Sequence, residues 1–122
     1  MGKVLQIRVS AWTYDEEEVV EAWPRLCVLV WSQLDKWGPV GMKRGVAELA
    51  EYLPDALRFS DLPEEVKKML RPGTEKVSAV LNEMRSALAS WDPRRANTLS
   101  DALEEALSEL EKEVPKELLN QR

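Results

Sequence analysis

Pro24-Arg25-Leu26-Cys27-Val28-Leu29-Val30-Trp31 is the stretch on which the fold class turns. Read as a strand, Leu26 to Trp31 is a short apolar run rich in β-formers behind a proline, and the chain becomes α+β. Read as a helix, it continues a stripe of Val19, Trp23, Leu26, Cys27, Val30, Leu34 and Trp37 at three-and-four spacing. The residues downstream favour the helix. Lys36-Trp37-Gly38-Pro39 supplies a basic last turn, a glycine for a left-handed C-cap and a proline stop. The expectation is one helix from about Asp15 to Trp37, bent near Pro24, where a backbone donor is lost and the preceding turn is crowded. The strand remains the alternative.

Upstream, Lys3 to Ala11 alternates, with Leu5, Ile7, Val9 and Ala11 on one face, and predicts a single N-terminal β-strand. Its backbone needs a ladder partner, either a brief extended piece over Ala56 to Ser60 or the same strand of a second molecule across a two-fold axis. Thr13 with Glu16 forms a capping box for the helix that follows, with Asp15 and Glu18 as the competing register.

Downstream, Val46, Leu49, Ala50, Leu53 and Leu57 mark a second helix, which Pro54 is expected to end. Asp61-Leu62-Pro63-Glu64-Glu65 opens a short helix that stops at Arg71-Pro72-Gly73. Thr74 then caps a long one carrying Val77, Val80, Leu81, Met84, Leu88 and Trp91, broken at Asp92-Pro93. A last helix from about Thr98 to Val114 buries Leu99, Leu103, Ala106, Leu107, Leu110 and Val114, and the tail beyond Pro115 frays. The fold class read from these elements is mainly α, a small bundle of four to five helices with one N-terminal β-strand, in a single domain over 1–122.

Composition narrows the function. The 122 residues are 44% hydrophobic and 32% charged, as in an ordinary globular domain. Histidine is absent and Cys27 is the lone cysteine, so imidazole mechanisms, intrachain disulfides and cysteine-rich metal sites are out of reach, and a reducing cytoplasm fits. No leader segment is recognised at Met1 to Arg8, and charge interrupts every apolar run short of the ~18 residues that a membrane helix needs. The net charge of −5 makes nucleic acid a poor partner. Residues 96–122 hold seven acids against three bases, whereas the middle of the chain is nearly neutral and carries the basic doublets.

Those doublets are the candidate ligand residues. Gly38 to Gly45 has the outline of a phosphate loop, with Lys43 and Arg44 ahead of a helix, but its spacing matches no phosphate or dinucleotide motif, and a helix C-cap followed by a tight connection is the favoured reading. Were Arg94 and Arg95 to lie beside Lys43 and Arg44, the four could hold a phosphate or carboxylate. Five tryptophans enrich the chain. Trp23, Trp37 and Trp91 fall on stripes and read as core; Trp12 and Trp31 do not, and read as half-buried indoles at an interface with Leu5, Ile7 and Val9. Asp15 to Glu18 are a solvated helix start, because consecutive helical positions diverge by about 100°. Cys27 reads as a buried, unreactive hydrophobe. No catalytic residue, metal or cofactor is assigned. The function expected is a cytoplasmic, non-catalytic protein–protein interaction module, a homodimer or an accessory subunit, with no nucleic-acid or membrane partner. The alternative is a small-molecule or anion-binding domain using the Gly38–Gly45 loop and its Arg and Trp neighbours.

Overall fold

The computed structural model describes residues 13, 15–38, 41 and 43–117. They form α1 (Glu16–Ala22), α2 (Pro24–Trp37), α3 (Val46–Phe59), α4 (Glu64–Ala89) and α5 (Pro93–Glu113), with no strand among the described residues. The chain is mainly α, a bundle of helices. The strand expected over Lys3 to Ala11, with Leu5, Ile7, Val9 and Trp12, lies outside the described residues, as does the end of the tail.

Leu26 to Trp31 is helical, within α2. Its strand-like look has a physical source: Leu26, Cys27, Leu29, Val30, Trp31 and Leu34 are all buried, so the helix is apolar nearly all round. The single bent helix is corrected to two. Trp23, at φ −132° and ψ 62°, leaves the helical region between them, and Pro24 opens α2 instead of bending it. A residue before proline is driven out of the α region, and proline at the first helical position forfeits a donor that has no partner there anyway.

Pro54, Pro72 and Gly73, expected to end helices, do not. α3 runs through the exposed Pro54 to Phe59, so the extended piece expected at Ala56 to Ser60 is helical apart from its final residue, the C-cap Ser60. Leu57 and Phe59 therefore part company, one buried and the other 59% exposed. α4 passes unbroken through Pro72 and Gly73, and Thr74 is no cap: its hydroxyl donates to the Leu70 carbonyl at 2.9 Å. Leu70, Thr74 and Val77 are buried on both sides of the proline, and that packing outweighs one lost ladder bond. Gly73 serves helix approach, since a Cβ there would stand 2.8 Å from Leu110 Cδ1 of α5. α5 starts at Pro93, earlier than the expected Thr98, because Asp92 caps it by accepting from the Arg95 amide at 3.1 Å.

One hydrophobic cluster draws on all five helices. α4 packs on α5 and α3, while α2 packs on α3, α1 and α5. A reciprocal clamp ties the start of α2 to the end of α5. Trp23 offers no capping side chain, so the Glu111 carboxylate accepts from the amides of Arg25 (3.1 Å) and Leu26 (2.9 Å). Arg25 in turn donates to the carbonyls of Glu111 (3.3 Å) and Val114 (2.9 Å), among the last acceptors of α5. The Trp23 indole donates to Ser108 Oγ one turn away, at 3.0 Å.

Candidate functional site

Two of the glycines of the Gly38–Gly45 segment, Gly38 and Gly45, stand at helix ends. Gly38 caps α2, its amide donating to the Leu34 carbonyl at 2.7 Å, but in extended backbone (φ −81°, ψ 168°) and not the left-handed conformation expected of it; Gly41 takes φ +78° instead. Gly45 caps α3 without a side chain of its own. The missing hydroxyl comes from Thr13, which accepts from the Val46 amide at 2.8 Å, while Glu48 reaches back to the Gly45 amide at 3.1 Å. A Cβ on Gly45 would stand 2.8 Å from Thr13 Cβ, so the arrangement needs glycine. The competing register at the first helix is the one adopted: Asp15, not Thr13, caps α1 through the Glu17 amide.

Of the basic residues there, Arg44 is engaged. Its guanidinium pairs with Asp35 and lies 5.5 Å from the centre of the Trp31 ring, and its amide donates to Glu16. Trp31 is not the half-buried indole expected: it is 6% exposed, lying beneath Arg44. Lys43 lines a cleft of about 810 Å³ between α1, the start of α3 and the α4–α5 pair. The carboxylates around it are Asp15, Glu16, Glu17, Glu18, Glu48 and Glu104, so the cleft is acidic. No group of three or more His, Cys, Asp or Glu side chains among the described residues could hold a metal ion.

Cys27 is buried, as expected, with Sγ 3.6 Å from the Val19 carbonyl. Burial pushes its thiol from 9.0 up to about 11, Glu111 adding to the rise and Trp31 and Arg44 opposing it. The indole N–H of Trp31 lies near enough to act on the sulfur yet makes no well-formed hydrogen bond. A thiol held this way is a poor nucleophile at neutral pH.

The second doublet stands at the tip of the α4–α5 hairpin, where Ser90, Trp91 and Asp92 join the helices. Asp92 N donates to the Ala87 carbonyl (2.9 Å) and Trp91 N to the Leu88 carbonyl (3.1 Å), the paired bonds of a Schellman ending. That motif places one residue in the left-handed region, where glycine is usual. Here it is Trp91, at φ 58°, the one non-glycine with positive φ among the described residues. Its side chain is not core, contrary to its place on the α4 stripe: it is 62% exposed. The stripe arithmetic fails because α4 ends at Ala89. The signal that could have found it is Asp92-Pro93, an N-cap followed by a first helical residue, which puts Trp91 outside both helices.

Arg94 and Arg95 follow at once in the first turn of α5, a turn without an acidic residue. Both are exposed, and neither is ion-paired among the described residues. Cations at the positive end of a helix dipole are unfavourably placed. Within five residues the tip therefore sets an indole in water on a strained backbone and two guanidiniums without an ion-pair partner, beside a helix start that Asp92 caps. Comparisons with protein-family models, curated proteins and solved structures each find no match to this chain.

Proposed function

We propose that the chain is a non-catalytic protein–protein interaction module of the cytoplasm, working as a homodimer or accessory subunit, with the α4–α5 tip as a contact surface. The observation that carries this reading is Trp91, exposed and in a backbone conformation that costs an L-residue about 1–2 kcal/mol. Local costs of this kind persist where a site uses them. Tryptophan and arginine are the side chains that most often dominate protein interfaces, and a convex tip suits a protein partner better than a small molecule, which needs a concave pocket. The anion-binding alternative has less support, since Arg44 is already paired and Lys43 lines an acidic cleft.

The test is a photoreactive amino acid placed at position 91 and, as control, at the exposed Lys68 near the opposite end of α4. Cross-linking in the native cell should give a discrete adduct from position 91, lost when Arg94 and Arg95 are replaced by alanine. Equal labelling from both positions, or an adduct indifferent to the arginines, would overturn the reading.

A further inference from the structure

We infer that the partner of the α4–α5 tip is an acidic protein segment carrying a bulky apolar side chain, and not a second copy of this chain; the inference rests on the interaction reading above. Two features of the tip select that chemistry. The unpaired guanidiniums of Arg94 and Arg95 fit carboxylates, which they can grip bidentately. The amide end of α5 is already capped by the Asp92 carboxylate, so the attraction for an anion comes from these two side chains. The indole of Trp91 needs an apolar side chain to cover it, which a free inorganic anion cannot supply.

Self-association through this surface meets a charge obstacle. A two-fold contact that stacked Trp91 on Trp91 would bring two copies of Arg94 and Arg95 face to face, four cations against two Asp92 carboxylates that are already engaged as helix caps. Polyanionic surfaces such as nucleic acid are disfavoured for a different reason. They extend beyond the tip and would meet the excess acid of residues 96–122, whereas a short peptide can engage the tip alone.

The experiment is selection of a display library of random short peptides against the intact protein, followed by binding of the enriched peptides to Trp91→Ala and to the Arg94→Ala/Arg95→Ala double variant. Melting temperatures of the variants exclude unfolding as a cause. Enriched peptides should be net acidic with an aromatic or leucine residue, and should bind each variant weaker by about tenfold or more. Enrichment of neutral or basic peptides that still depend on Trp91 would overturn the acidic partner and leave the interaction reading standing. If no enriched peptide depends on Trp91, both fall.

Discussion

At φ 58°, Trp91 occupies a place where glycine would be relaxed, and little of its indole is repaid by packing. Trp91→Gly should therefore stabilise the protein by up to about 1 kcal/mol, which for a chain of this size raises Tm by about 3–5 °C. Calorimetry checks the sign; a fall in Tm would mean the indole holds the hairpin together. Cys27 gives a second test at this scale. Its thiol ionises near 11 in the fold against 9.0 ordinarily, so below pH 9 it is protonated in both folded and unfolded chains. Between about pH 9 and 11 the unfolded chain releases the proton and the folded one keeps it, so stability falls as pH rises through that window. The stability difference between wild type and Cys27→Ala should narrow over the same range in urea titrations; lysine titration is common to both and cancels.

At the level of elements, the helical stripes were legible because three-and-four spacing needs only local sequence. Val19, Leu26, Leu53, Val77 and Leu103 are buried where the spacing puts them. What misled was punctuation. Pro54, Pro72 and Gly73 read as stops, but each lies in a helix whose buried face continues past it. Whether a breaker breaks depends on what packs beyond it, and Leu110 over Gly73 is a contact across the α4–α5 hairpin that no local window displays. The candidate site is half legible: the basic doublet marks Arg94 and Arg95, whereas the α4 stripe places Trp91 in the core. The α2 cap was invisible, since Glu111 lies 85 residues from Leu26. Glu111→Ala strips that cap and leaves a largely buried Arg25 without its carboxylate, so it should destabilise by about 2 kcal/mol in urea unfolding, with Glu111→Gln milder because it keeps an acceptor. Gly45→Ala should cost about 1–2 kcal/mol, because the methyl displaces the Thr13 hydroxyl from the start of α3.

For the molecule as a whole, a single cluster fed by five helices implies that they melt together. Tryptophan fluorescence and far-ultraviolet circular dichroism should trace coincident urea transitions; separated midpoints would divide the chain into two units. The Glu111–Arg25 clamp also bears on how the protein is made. During synthesis α2 emerges ahead of α5, its first amides bare, and the carboxylate that will cap them is translated 85 residues after Leu26. At 5–20 residues per second that interval is about 4–17 s. For most of it a helix that is apolar nearly all round is complete in sequence and unfinished in structure, so the nascent chain depends on shelter at the ribosome until the end of α5 arrives.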